Sequence, residues 1–359
     1  MNIAFRVDAS HHIGSGHVMR CLTLANELRK HSHYVQFISR NLEGNLFEQI
    51  KKEGFGVRIL PKMAEKIDDS LFHSSWLEVS YKTDAYQTLD VLDGEIVDML
   101  IVDHYAIDYR WEKIVSNSVK KLFVIDDLAD RKHYCNFLLD QNYYINMYDR
   151  YKHLVQPYTG CMIGPKYSLI RDEFLEEKEE SKIPKETNIL VFFGGADLTS
   201  ETIKVISNLK SIEKKVEHVF VVVGKNNPDK ELIKEFCDLN LKFQFHYDIN
   251  YMAKLMKLST FAICAGGSTT WERYCMGLPA IVIAVAPNQY EICERLENLG
   301  IDIFIGKSHS YKMDKLVECS EKLINSKEDL IARKKEEAMK IVDGLGKKRI
   351  IEIIEKEVS

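Results

Sequence analysis

Apolar residues in this chain come in short, nearly continuous runs rather than in alternation; Val219-Phe220-Val221-Val222-Val223 is one of them. A strand covered on both faces has no polar side, so runs of this kind predict parallel strands sandwiched between helices. Twelve runs predict strands, at 3–7, 34–39, 57–60, 99–103, 122–126 and 137–140, then at 189–193, 218–223, 243–245, 261–265, 280–286 and 302–305. Each is followed by a polar or helical stretch, the βα alternation of a doubly wound parallel sheet. The runs fall into two sets of six. Between them, 173–188 is polar and highly charged and contains Pro184. A charge run is commonly a solvated face, but its place between two equal βα sets predicts an interdomain linker. The boundaries that follow are an N-terminal Rossmann-like domain at 1–175, a linker at 176–187 and a C-terminal Rossmann-like domain at 188–359, the two facing a cleft. The tail, 328–357, has apolar Ile331, Met339, Ile341, Val342, Leu345, Ile350 and Ile353. It reads as one or two amphipathic helices of the second domain, broken near Gly344 and Gly346.

Composition narrows the function classes. With 359 residues, two cores are expected. A formal net charge of −5 argues against a broad nucleic-acid surface. No apolar run approaches the ~18–20 residues of a membrane span, and the first eight residues lack the charged-then-apolar order of a secretory signal. A cytoplasmic protein with no membrane partner is expected. The eight cysteines form no C-x-x-C pair and read as free thiols in apolar stretches. No H-E-x-x-H, paired-histidine or calcium-loop pattern occurs, so neither a metal nor a cofactor is expected. There are only 18 glycines, which makes their positions informative.

Six of them fall at three predicted strand-to-helix turns. The first turn, Ile13-Gly14-Ser15-Gly16-His17, follows strand one, and Val18, Cys21, Leu22, Ala25 and Leu28 then recur at helical spacing. It lacks the third glycine of a dinucleotide fingerprint and the Gly-Lys-Ser/Thr of a P-loop. What remains is a helix N-terminus whose free N–H groups face a polar or anionic ligand. His17, placed where the helix dipole disfavours added positive charge, is a candidate general base; the plain alternative is a capping histidine. The second turn, Phe193-Gly194-Gly195-Ala196-Asp197, and the third, Ala265-Gly266-Gly267-Ser268-Thr269-Thr270-Trp271-Glu272, both lie in the second half. Two glycine turns at the carboxyl ends of neighbouring strands suggest a diphosphate site. Glu272 reads as a dipole partner or as an acceptor for a ribose diol. Arg6, Asp8, Asp103-His104-Tyr105, 126–131, Gln141-Asn142 and Arg171 also lie at strand ends or before the linker. Each alone is commonly a cap; together they favour a site.

The stretches 6–22, 101–105, 125–131, 138–142, 164–174, 193–197 and 265–272 resemble, in order, the UDP-sugar hydrolases of bacterial pseudaminic acid biosynthesis. Formally these are UDP-2,4-diacetamido-2,4,6-trideoxy-β-L-altropyranose hydrolases. The resemblance spans roughly residues 1 to 300. It implies a GT-B-like α/β fold, as in the glycosyltransferases of that class, put to hydrolysis. It matches the family's base to His17 and sugar contacts to Asp8, Gly14, Ser15, Gly16, Tyr105 and Arg171. UDP falls to Gly194, Gly195, Gly266, Gly267, Ser268, Thr269 and Glu272. The family pattern has Asn where this chain has Trp271. The implied reaction is metal-independent hydrolysis with inversion, serving pseudaminic acid and, through it, flagellin or surface-polysaccharide glycosylation. The expected partner is a UDP-sugar substrate. A GT-B transferase and a non-catalytic nucleotide-sugar binding module are the rival readings.

Overall fold

A computed structural model describes residues 1–63, 65, 70–178, 184, 186–326 and 328–358. The centre of the expected linker, residues 179–183 and 185, lies outside the described residues.

The chain folds as two compact units. The first comprises Met1–Leu169 and Leu345–Ser359, the second Ile170–Gly344. The first is built on seven strands: β1 (Asn2–Val7), β2 (Tyr34–Arg40), β3 (Gly56–Leu60), β4 (Val97–Asp103), β5 (Val119–Ile125), β6 (Phe137–Asp140) and β7 (Gly160–Ile163). They lie in the order β3-β2-β1-β4-β5-β6-β7, and every pairing is parallel. The second holds β8 (Asn188–Phe192), β9 (His218–Val223), β10 (Phe243–Tyr247), β11 (Phe261–Ala265), β12 (Ala280–Ala284) and β13 (Ile303–Lys307). Their order is β10-β9-β8-β11-β12-β13, again all parallel. Both sheets therefore grow outward from a first strand in one direction and then reverse, the doubly wound Rossmann arrangement. The points of reversal are β1/β4 and β8/β11.

The apolar runs are explained by burial on both faces. Ile3, Phe5 and Val7 of β1 join one apolar cluster with Val18, Leu22 and Ile101. Ala4 between them joins another with Ile38, Leu100 and Val102. In the second unit Ile189, Val191, Val219, Val221 and Val223 share a core with Ile263 and Ile281.

Two features differ from the sequence expectation. A seventh strand, β7, exists where none is expected; it is four residues long, and Gly160 and Cys161 in it are exposed, so no apolar run marks it. The last helix, Gly346–Val358, belongs to the first unit, not to the second. Its Ile350, Ile351 and Ile354 are buried against the β1 side of the first sheet. Amphipathic spacing shows that a helix has an apolar partner but not which one. Gly346 permits this docking: a Cβ there would lie 2.3 Å from the carbonyl oxygen of Ser168.

No helix among the described residues is long and apolar enough to cross a membrane. The cysteines are all free, six of them buried, with Cys161 exposed and Cys319 half-buried.

Candidate functional site

In the first unit the candidate groups gather at the carboxyl edge of the sheet, where β1 and β4 part. After β1 the chain makes a tight loop. The Ser10 hydroxyl accepts from the backbone N–H of His12 (3.2 Å) and Ile13 (3.0 Å), and Gly14 N–H donates to Ser10 O at 2.8 Å. Gly14 sits at φ +79°, which a side chain there would resist. Helix Gly16–Lys30 then begins, with no side-chain cap from Ser15. Its first-turn N–H groups lie outside the helical ladder. Gly14, Ser15 and Gly16 are exposed, and His17, in that first turn, is largely buried.

β4 delivers the partner. Asp103 is fully buried at the strand's end. Its Oδ1 accepts from His17 Nδ1 at 2.6 Å and from Arg20 Nη2 at 2.7 Å, and its Oδ2 accepts from Arg20 Nε at 2.6 Å. Burial pushes the Asp103 carboxyl upward, but Arg20, then His17, outweigh it and hold it well below the usual carboxylate range. An ionised carboxylate only accepts hydrogen bonds. His17 Nδ1 therefore carries the hydrogen, and in the neutral ring Nε2 keeps the lone pair that a base needs. Arg20 extends the network: Nη1 donates to Asp127 Oδ2 at 2.6 Å. Tyr105 O–H donates to the same oxygen at 2.6 Å, and Asn142 Nδ2 donates to Asp127 Oδ1 at 2.7 Å. Burial and the Asp127 charge push the Tyr105 phenol well above its ordinary range, so it stays a neutral donor. Its ring stands edge-on to His17, 4.5 Å between centroids.

Asp8 lies beneath this site rather than in it. It is fully buried and accepts from Arg6 Nη1 at 2.7 Å, Arg6 Nη2 at 2.9 Å and the Arg40 backbone N–H at 2.7 Å. Arg6 also pairs with Asp84 (2.6 Å), as does Arg40 (2.6 Å), and Trp111 Nε1 donates to Asp84 at 2.9 Å. No atom of Asp8 is free to meet a ligand; the expectation of a sugar contact is corrected to that of a support. The strand-end motif shows a carboxylate but not that the Arg6 guanidinium and the Arg40 backbone N–H occupy it.

In the second unit both glycine turns leave adjacent strands, β8 and β11, at the reversal point. The β8 turn has Gly194 at φ +92°. It does not open a helix directly: helix Glu201–Leu209 starts six residues after Gly195. Asp197 caps that helix, accepting from Glu201 N–H at 3.0 Å and Thr202 N–H at 2.8 Å. Gly195 instead meets Gly224, where a Cβ would lie 2.4 Å from its backbone, so the loops after β8 and β9 touch. The β11 turn does lead into a helix, Thr269–Met276. Gly266 is packed so closely that a Cβ would lie 2.1 Å from Cys293 Sγ, while Ser268 is exposed and Gly267 and Thr269 half-buried. Glu272 accepts from Arg171 Nε at 2.8 Å, and Arg171 Nη1 pairs with Glu173 at 2.6 Å. Arg171, expected on the sugar-binding domain, is thus part of the second unit and a partner of Glu272. Trp271 is 2% exposed and stands edge-on to Tyr274, a core position.

Sequence reading did not single out Arg20, three residues after His17 on the same helical face. Nor did it find His73 or Trp76, which come from the short turn Ser74–Leu77 and its cap and show no periodic signal. Trp76 stacks on Tyr105 with centroids 5.5 Å apart.

Two parallel sheets of this order, each with a polar or glycine-rich reversal point, define a two-domain Rossmann-like α/β fold of the glycosyltransferase type. Solved structures bear this out. The chain is similar over its full length to a glycosyltransferase of kitacinnamycin (TM-score 0.69, 15% identity, 99% of that chain). It is likewise similar over 99% of its length to Acinetobacter baumannii MurG (TM-score 0.67, 12% identity, 100% of that chain). Residues 188–350 match the glycosyltransferase family 28 C-terminal domain. The particular relative is narrower in name. The UDP-2,4-diacetamido-2,4,6-trideoxy-β-L-altropyranose hydrolase of Campylobacter jejuni subsp. jejuni is 26% identical over 305 residues, 84% of this chain and 98% of that protein. The resemblance read from the motifs is therefore borne out along most of the chain.

Proposed function

We propose that the protein hydrolyses the anomeric C–O bond of UDP-2,4-diacetamido-2,4,6-trideoxy-β-L-altropyranose, giving UDP and the free sugar with inverted configuration. The supporting observation is the fixed tautomer of His17: Asp103, held ionised by Arg20, accepts from Nδ1 and leaves Nε2 as base. The likeness to the Campylobacter hydrolase supplies the substrate.

In this scheme His17 Nε2 takes a proton from a water that attacks the anomeric carbon opposite UDP. The oxygen–carbon bond forms, the C–O bond to UDP breaks, and the electron pair leaves on the diphosphate. Asp103 steadies the imidazolium that results. The second unit holds UDP: backbone donors of the 194–195 and 266–269 turns meet the phosphates, and Glu272, positioned by Arg171, accepts from the ribose. Gly14, Ser15, Gly16 and Tyr105 contact the sugar. UDP is a competent leaving group, so the scheme uses no metal and no cofactor.

His17→Ala tests it. UDP affinity by calorimetry is expected to hold while UDP release falls by ~10²–10⁴-fold, the usual contribution of a positioned base. Near-wild-type turnover would sink the assignment. A transferase reading rests on one specific observation, the family 28 match at 188–350. UDP release that requires an added acceptor would favour it.

A further inference from the structure

The base does not stand in a purely polar setting. From His17 a ladder of rings runs outward: Tyr105 at 4.5 Å, Trp76 stacked on Tyr105 at 5.5 Å, His73 edge-on to Trp76 at 4.6 Å and Phe72 edge-on to His73 at 4.9 Å. Trp76 also stands 6.1 Å from the His17 ring at 82°, so it borders the same space as the base. Burial falls along the ladder. Tyr105 is nearly buried, Trp76 and His73 are half-buried, and Phe72 is 92% exposed. The other two tryptophans, Trp111 and Trp271, are 0% and 2% exposed. A run of rings that starts at the candidate base and ends in a phenylalanine open to solvent is unlike an ordinary core edge. Half-buried and exposed rings lined up at the edge of a polar site offer a ligand an apolar surface.

We infer that Trp76, with His73 and Phe72, forms an apolar platform that selects sugars carrying N-acyl and deoxy substituents over fully hydroxylated ones. The inference rests on the UDP-sugar reading and deepens it. A hydroxyl laid against ring faces loses its hydration without a hydrogen-bond partner, which costs free energy. The methyl of an acetamido group, or a C6 methyl, gains contact there instead. The polar half of the sugar is left to Tyr105 and the 14–16 loop. Trp76 is thus a specificity-determining residue, and His17 keeps the chemistry.

The test has a binding arm that needs no turnover. With UDP saturating, the wild-type protein is excited selectively at tryptophan and titrated with free 2,4-diacetamido-2,4,6-trideoxyaltrose, then separately with altrose. The diacetamido sugar is expected to change the emission and altrose to leave it unchanged. Trp76→Phe is expected to abolish the change, since the remaining tryptophans are buried. In the kinetic arm, Trp76→Ala is expected to raise KM for the UDP-diacetamido sugar by about tenfold or more, the scale of a lost apolar contact. Trp76→Phe is expected to restore most of it, with UDP affinity unchanged in both. Equal responses to both sugars, no response to either, or an unaltered KM in Trp76→Ala would overturn the platform. Absence of wild-type UDP release would instead overturn the hydrolase reading, and the fluorescence arm would still decide the platform.

Discussion

The two units share one topology and use its reversal point in opposite ways. Between β1 and β4 the first unit places charged and titratable side chains: His17, Arg20, Asp103 and, one strand on, Asp127, tied by hydrogen bonds of 2.6–2.7 Å. Between β8 and β11 the second unit places glycines, Gly194 and Gly195 after one strand and Gly266 and Gly267 after the other. In the proposed scheme this difference separates chemistry, in the first unit, from holding, in the second. Side-chain chemistry needs groups whose protonation and orientation are fixed by neighbours. A diphosphate needs N–H groups that no side chain obstructs. The same units can be broken separately, and the comparison predicts which property each break removes.

The largest effect is expected at Asp103. Asp103→Asn presents an amide to His17 and Arg20, and the His17 tautomer is no longer fixed. Turnover is expected to fall about 10³–10⁴-fold, as when such a carboxylate becomes an amide, while calorimetric UDP affinity stays near wild type. A comparable loss of UDP affinity would show that the first unit also holds the nucleotide.

Next is the buried ion network under the site. Asp84→Ala leaves Arg6 and Arg40 without their shared carboxylate. A broken buried pair costs about 3–5 kcal/mol, so the first unit is expected to unfold at markedly lower denaturant. A denaturation curve indistinguishable from wild type would contradict the network's role.

In the second unit, Gly266→Ala drives a Cβ into Cys293 Sγ. Overpacking of this kind costs about 1–3 kcal/mol. UDP binding is expected to weaken as the turn shifts, with the His17–Asp103 pair untouched. Unchanged UDP affinity would count against a role for the β11 turn.

The smallest effect is a pH dependence of stability. His133, between Glu112 (2.7 Å) and Asp126 (3.7 Å), is raised to about 9: burial opposes the charge but the two carboxylates outweigh it. Its folded value lies above the unfolded ~6.5. Its contribution is complete below about 6.5 and is lost as pH rises through 9. Asp140, pushed up to about 7 by burial and by Asp127, acts in the same direction lower down, between about 4 and 7. The first unit's Tm is therefore expected to fall between pH 7 and 9, and His133→Gln to flatten the upper part of that fall. A rising Tm would refute the sign.

Much of this was legible in the chain. Unbroken apolar runs announced the strands, because each is covered on both faces. His17 and two of the glycine turns were legible because their signals are local: a glycine pair after a strand is visible without knowing what lies beside it. The Asp103 contact was not, because it joins residues 86 apart and depends on β1 and β4 being neighbours. The Arg171–Glu272 pair is hidden for the same reason, its two residues standing 101 apart in the chain. Trp76 sits in a single short turn, too brief for any period to show. The docking of Gly346–Val358 on the first unit was hidden because its apolar face is complementary to either core.

The measurement that bears most directly on the central claim is proton NMR of the UDP-diacetamido-altrose sugar with wild-type protein and no acceptor, followed from mixing. UDP release, the inverted anomer as the first product, and loss of both in His17→Ala are the expected results. Retained configuration, release only when an acceptor is added, or an active His17→Ala protein would contradict the claim.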